Sequence, residues 1–347
     1  MKEALFYIEQ DNRKIRCNLC AHYCELKTGQ YGICGVRQNI DGKLYSLNYG
    51  IVQGIAIDPI EKKPFYHFMP GTEVLSFGLP GCNFKCANCQ NSDLSQNIKK
   101  YRNNLINAKD KIPPSVIVDY AIRYKVSGIA YTYSEPTIFF EYAYDIINEC
   151  KRREETKHLK HMFISNGYFS KELTDFIISE KLLDAVNIDL KFFDDRHYRK
   201  ITGGSLTPVL ENIQRLGQSE IHLEIINLII PHENDTDEDF NNISSFIASI
   251  DKSIPLHFSR FFPHYKMTDR GATPIERLIA AKKIAESNGL KYVYIGNAAG
   301  TGFSDTFCPN CKSLLIKRTG YKTTIINLQQ SNGKYYCGNC GCEINIK

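Results

Sequence analysis

Between residues 71 and 299 the chain switches repeatedly between two hydrophobic periods. Short apolar runs rich in β-branched and aromatic residues recur at 73–79, 128–133, 161–164, 185–190, 222–230, 256–261 and 291–297. Their length and composition predict strands. Between them lie longer stretches of helical period, at 115–124 with Ser115 as N-cap, 138–153, 170–181, 207–216, 237–250 and 273–288. Strand–helix alternation of this kind predicts parallel strands with helices packed outside. About six parallel units suit a partial, open (β/α)6 barrel better than the closed barrel of eight. The fold class is therefore α/β.

The flanks break the pattern. Residues 1–70 hold a cysteine-rich segment and lead-in strands, and residues 300–347 hold a second cysteine-rich segment, so the expected division is 1–70, 71–299 and 300–347. The polar stretch 92–115 ends in Pro113-Pro114 and reads as a linker. The run 56–68 mixes acids, bases and aromatics just before the first strand of the barrel, which suits the floor or lid of a site. Polar residues stand at the expected strand ends: Glu135, Asn166, Asp189 with Lys191, Glu224, Arg260 and Asn297. Ligands bind at such ends in α/β folds. Asp189 and Lys191 share one side of a strand, as a functional pair or a salt-linked rim. Glu135, before a proline, either serves the site or starts a helix.

Thirteen cysteines change the picture, because all but Cys150 fall in clusters. Cys82, Cys86 and Cys89 stand at C-x3-C-x2-C spacing on a polar loop after the first barrel strand. Three thiolates on one loop hold three irons of a cubane and leave the fourth open to a small molecule. Cys17, Cys20, Cys24 and Cys34 form a compact knuckle, for which zinc and an iron–sulfur cluster are both chemically sensible. Cys308, Cys311, Cys337 and Cys340 make two C-x2-C knuckles of zinc-ribbon spacing, with Cys342 able to replace Cys340.

The cysteine loop resembles that of the radical S-adenosylmethionine superfamily. Ser134-Glu135-Pro136 sits where that superfamily has a Gly-Gly-Glu stretch, and Asp189-Leu190-Lys191 resembles the pattern of glycyl-radical-enzyme activating proteins. The N-terminal knuckle, the Asp58–His67 run, Ser259-Arg260-Phe261 and Tyr292–Asn297 are similar to the AmmeMemoRadiSam-system radical enzymes. The resemblance implies one [4Fe–4S] cluster, S-adenosylmethionine, and methionine contacts from Glu135, Asp189 and Lys191, with Glu224 near the ribose. It also implies a reductant such as a ferredoxin or flavodoxin, and a hydrogen-abstraction substrate that is a small molecule or a partner protein. In the activating proteins a histidine follows a strand-end proline, and here Pro263-His264 has it one position early.

Charge and hydropathy then exclude other classes. A net charge of +5 with scattered basic residues argues against nucleic acid. No apolar run approaches the roughly 20 residues of a membrane span. Residues 1–6 lack a signal pattern, so a cytoplasmic protein is expected. A metal hydrolase would need histidines grouped at strand ends, and the nine here are dispersed. A non-enzymatic zinc scaffold binding protein or nucleic acid is the alternative, opposed by the three-cysteine loop.

Overall fold

The computed structural model describes residues 1–98, 110–298 and 302–347. The linker expected at 92–115 lies partly outside these residues, as does the boundary expected at 299–300. An eight-stranded sheet forms the centre. Seven strands run parallel and side by side in chain order: Glu73–Gly78, Gly128–Tyr131, Lys160–Ser165, Ala185–Asp189, His222–Ile229, Leu256–Arg260 and Val293–Gly296. The eighth, Gln53–Pro59, pairs antiparallel with Glu73–Gly78 and makes one edge. Each parallel crossover carries a helix, so six strand–helix units lead into a seventh strand.

Several boundaries differ from expectation for local reasons. The helix expected to start after Ser115 is Pro114–Arg123, with Pro113 as N-cap and Pro114 in the first turn, where its missing N–H costs nothing. The helix expected from residue 273 is Ile275–Ser287 and follows Pro274. Among the described residues, a short helix at Ser92–Ser95 opens the stretch expected to be a linker, and a longer one, Asp195–Thr202, stands where no helix was expected. Asp195–Thr202 buries only Tyr198, Ile201 and Thr202, which leaves little apolar periodicity to read. Asp194 starts it by accepting the His197 N–H at 2.9 Å, and Gly203 at φ 76° stops it.

Side chains alternate between the faces of the sheet. Leu75, Phe77, Ile129, Tyr131 and Val186 join the main core with Ile117, Val118 and Ala121 of the Pro114–Arg123 helix. The intervening Val74, Ala130, Met162 and Ala185 form a separate cluster with Ile60, Phe65 and Phe68. Residues 60–68 are thus the floor of the sheet's second face.

That floor is fastened by Glu224. Glu224 was expected at a strand end beside a ligand. It is instead the third residue of its strand, fully buried, and its carboxylate accepts from Tyr66 N (3.0 Å), His67 N (2.8 Å), His222 Nε2 (3.0 Å) and His257 Nε2 (2.6 Å). Burial works against the ionised form, but the two histidine hydrogen bonds outweigh it and hold the carboxyl well below its ordinary range.

The C-terminal segment builds two three-stranded sheets and docks on the same floor. Arg318 Nη2 donates to Tyr66 O at 2.8 Å and its guanidinium covers the Tyr66 ring at 4.2 Å. Thr323 Oγ1 donates to Glu61 Oε1 at 2.6 Å, and Lys347 N donates to His67 O at 2.9 Å. The N-terminal segment is tied to the Phe140–Arg152 helix by the buried Arg37–Glu141 ion pair. Among the described residues no helix is long and apolar enough to cross a membrane.

His67 joins the floor to the C-terminal segment as a neutral ring. Its Nδ1–H reaches Asn345 O at 2.6 Å, which leaves Nε2 to accept from Tyr294 OH at 2.5 Å. Burial lowers its pKa from 6.5 to about 3. The unfolded chain takes up this proton as pH falls through 6.5, while the folded chain resists it until pH is near 3. Stability should therefore fall by about 1.4 kcal/mol per pH unit across that window from this residue alone. Urea midpoints measured at pH 7 and pH 5 should show the loss, and His67→Gln should remove one proton from the slope. An unchanged slope would refute the assignment.

Candidate active site

The strand Glu73–Gly78 delivers the chain to the cysteine loop, which has no secondary structure of its own beyond the short Ser92–Ser95 helix. Backbone and side-chain contacts from four directions hold it. Lys85 N donates to Thr202 O at 2.7 Å and Ala87 N to Ile201 O at 3.2 Å, so the end of the Asp195–Thr202 helix pins its middle. Lys266 N donates to Ala87 O at 3.0 Å from the segment after the Leu256–Arg260 strand. Asn166 Nδ2 donates to Asn83 Oδ1 at 2.7 Å, and His22 Nε2 meets Asn83 O at 2.8 Å. Gly81, at φ 106°, is required twice over: a Cβ there would stand 2.8 Å from Val36 Cγ1 and 3.1 Å from Cys34 O. Phe84 is buried between Tyr168 and Tyr198, against Gly204, where a Cβ would come within 2.3 Å of its ring.

The three thiols face inward from this frame. Cys82 Sγ accepts the Phe84 N–H at 3.3 Å, and Cys89 Sγ lies 3.0 Å from Ser95 Oγ. Burial pushes the Cys82 thiol well up and the Cys86 thiol up to about 12, against the pull of the Lys191 ammonium on Cys86. Such thiols stay protonated until a metal displaces the proton.

Glu135, Asp189 and Lys191 are brought to the same place. Asp189 and Lys191 form an ion pair. Burial alone would lower the Lys191 pKa, but the Asp189 carboxylate beside it holds the ammonium well above the ordinary value. Glu135 feels the Cys82 thiol across the site. Its Oε1 accepts from Thr137 Oγ1 (2.6 Å) and Ser165 Oγ (2.7 Å), and its Oε2 from Asn166 N (2.9 Å). It also caps the Pro136–Phe139 turn of 3-10 helix, so the helix-starting role is real and the carboxylate braces the neighbouring strand end as well. Among the described residues, Asn83 Nδ2, Asp189 Oδ1 and the Tyr198 hydroxyl are buried here without a partner. Asn83 Nδ2 is a donor and Asp189 Oδ1 an acceptor, so the frame fits a ligand that carries both charges. Glu224 is not part of this group. Arg260 braces its own loop, with Nε donating to Thr273 O at 2.8 Å, and Asn297 Nδ2 bonds Ser259 Oγ at 3.0 Å.

Tyr133 and Ser134 stand where two glycines were the pattern. Tyr133 takes φ 64°, the left-handed conformation a glycine adopts freely. Its hydroxyl donates to Asp58 Oδ2 at 2.6 Å, and Lys63 Nζ holds the same oxygen at 2.6 Å. The Asp58–Lys63 pair therefore steadies this strand end, a role invisible in the run 56–68 by itself. Asn83 was likewise passed over as a loop residue.

Elsewhere, Cys308, Cys311, Cys337 and Cys340 place their four sulfurs within 4.8 Å of one another. The Cys308–Cys340 and Cys311–Cys337 separations are 3.6 Å each. Cys342 Sγ points instead to Glu343 O at 3.5 Å, so Cys340 is the fourth member.

The family model of the radical SAM superfamily matches residues 78–247, from the strand before the cysteine loop into the Asp237–Ile250 helix. The uncharacterized protein MJ0808 of Methanocaldococcus jannaschii is 43% identical over 352 residues, spanning 100% of this chain and 99% of that one. MJ1632 of the same organism, provisionally named a glycyl-radical enzyme activating enzyme, is 27% identical over 217 residues, covering 61% of this chain and 75% of its own. A crystal structure of a domain of pyruvate-formate lyase-activating enzyme from Bacteroides vulgatus overlaps 49% of this chain and 99% of that chain, at 19% identity and a TM-score of 0.40, too low to add weight. The family match runs through Cys82, Cys86 and Cys89, so residues 78–247 of this chain are a domain of the radical SAM superfamily.

Proposed function

We propose that Cys82, Cys86 and Cys89 hold the [4Fe–4S] cluster that the family implies, with S-adenosylmethionine bound between the cysteine loop and the strand ends at Glu135, Asp189 and Lys191. The observation that carries this reading is the pair of unpartnered buried atoms beside the three thiols. Asp189 Oδ1 accepts from an ammonium and Asn83 Nδ2 donates to a carboxylate, the two charged groups of a methionine moiety. A [4Fe–4S] cluster held by these three thiolates would supply the one electron that cleaves the C5′–S bond of S-adenosylmethionine, with methionine as the leaving group and the adenosyl fragment left to take hydrogen from the substrate. Lys191 balances the charge at Cys86. Glu135 positions Asn166, which in turn orients Asn83.

The finer reading follows the relatives. The sheet's two free edges suit a partial (β/α)6 barrel, flanked by segments 1–70 and 300–347. The four close sulfurs of the C-terminal segment suit zinc, since Zn–S bonds of about 2.3 Å set sulfurs about 3.8 Å apart. The names of the activating-enzyme relatives favour a glycyl-radical-activating type of reaction on a partner protein, fed by a ferredoxin or flavodoxin, within the AmmeMemoRadiSam-like branch.

Anaerobic reconstitution should give a reduced-state EPR signal that changes on adding S-adenosylmethionine and produces 5′-deoxyadenosine under dithionite. In Cys86→Ala the SAM-sensitive signal and the nucleoside should both be lost; persistence of either rejects the assignment. Asp189→Asn should weaken S-adenosylmethionine binding on the order of 10-fold or more, as loss of a hydrogen bond to a charged group implies, with iron content unchanged. Glu224→Gln should leave that affinity alone and lower the melting temperature. Equal affinity losses in the two variants would show that Asp189 acts only through the fold.

A further inference from the structure

We propose that Cys17, Cys20, Cys24 and Cys34 hold a second iron–sulfur cluster rather than zinc, with the Arg37 guanidinium donating to its sulfurs. The inference rests on the reading of the catalytic loop only for its yardstick of sulfur spacing.

The four thiols form one nest. Cys20 interacts electrostatically with Cys17, Cys34 and Cys24. Gly32 sits beside two of them, and a Cβ there would stand 3.6 Å from Cys34 Sγ and 3.8 Å from Cys24 Sγ. Cys17, Cys20 and Cys34 are buried and Cys24 is half-buried, so the nest is shielded from water.

Spacing distinguishes the metal. Among the described residues, the C-terminal sulfurs are the one set of three or more that closes to within 4.8 Å. Neither the nest nor the catalytic loop does so. A zinc tetrahedron needs edges of about 3.8 Å. A cubane interposes four irons and four sulfides and holds its thiolates farther apart. The nest therefore matches the loop that carries the family's cluster and not the ribbon.

Charge points the same way. A tetrathiolate cluster is a buried anion that gains further charge on reduction. Arg37 is 1% exposed; its Nη2 pairs with Glu141, while its Nε and Nη1 are buried without a partner. Cys17 and Cys34 both feel its positive charge. Two free guanidinium N–H groups beside those sulfurs are donors of the kind that tune cluster potential. The nest also shares a wall with the catalytic loop, through Cys34 O against Gly81 and His22 against Asn83. It would be a second redox centre next to the first.

The test uses full-length chain with Cys82, Cys86 and Cys89 all changed to alanine, reconstituted anaerobically with iron and sulfide. About four irons per chain should remain, with one zinc and a reduced EPR signal indifferent to S-adenosylmethionine. No iron and about two zincs would overturn the proposal. Cys20→Ala with Cys34→Ala should show the reciprocal pattern, losing about four irons while keeping the SAM-sensitive signal. Should the triple variant not fold, the wild-type chain decides: about eight irons by Mössbauer spectroscopy support a second cluster, and about four overturn it. Failure of the catalytic reading alone is distinguishable, because iron would then be equal in the wild type and the triple variant. Arg37→Lys keeps a cation against Glu141 but loses the planar donors. The potential of the nest cluster should move negative in that variant, and an unmoved potential would refute the role of Arg37.

Discussion

The Glu224 carboxylate is the interaction on which the arrangement of the chain depends. It sits fully buried in the sheet, and a buried charge of this kind persists only when hydrogen-bonded on every side. Its four partners come from the sheet and from the floor segment: two histidine rings and two backbone amides. Through Tyr66 and His67 the same floor carries Arg318, Asn345 and Lys347 of the C-terminal segment. One half of the sheet's second face is closed this way. The other half, at the C-terminal ends of the parallel strands, is left for the cysteine loop and a ligand.

The cysteine loop illustrates a division between chemistry and support. Its own residues supply sulfur and the unpartnered Asn83 amide. Its shape is imposed by backbone acceptors at Ile201 and Thr202, by the side chain of Asn166, and by the lack of side chains at Gly81 and Gly204. The Tyr133 turn is a second case. Where glycine would take a left-handed conformation at no steric cost, this chain uses tyrosine and anchors the hydroxyl on Asp58. Strain of this type is tolerated where surrounding contacts over-determine the position.

Three cysteine groups, similar in spacing along the sequence, differ in space. The ribbon sulfurs converge on one another, as a single small cation requires. The other two groups stay apart and lie in or against the main core. Arg37, buried with two donors unused, belongs with the N-terminal group.

Local sequence determined much of this protein. Strand–helix alternation reveals its parallel sheet because apolar period reports burial directly, and the C-x3-C-x2-C loop reveals its chemistry because three thiols on a polar loop have few other uses. The Asp237–Ile250 helix matches its expected bounds, since its capping box is written in consecutive residues. Asp189 and Lys191 were legible as a pair from their spacing, although the strand ends at Asp189 and Lys191 lies just beyond it. What tertiary structure alone decided are relations between distant residues. Glu224 looked like a strand-end acid, and only the approach of Tyr66, His67 and His257 makes it a buried tie. The Asp195–Thr202 helix was hidden because three buried positions carry too little periodicity, yet its carbonyls fix the cysteine loop. The choice of Cys340 over Cys342 depends on how the ribbon strands bring Cys308 and Cys311 across. Spacing along a chain constrains which ligands are available, but the distance between sulfurs is set by packing, and packing is where the metal is chosen.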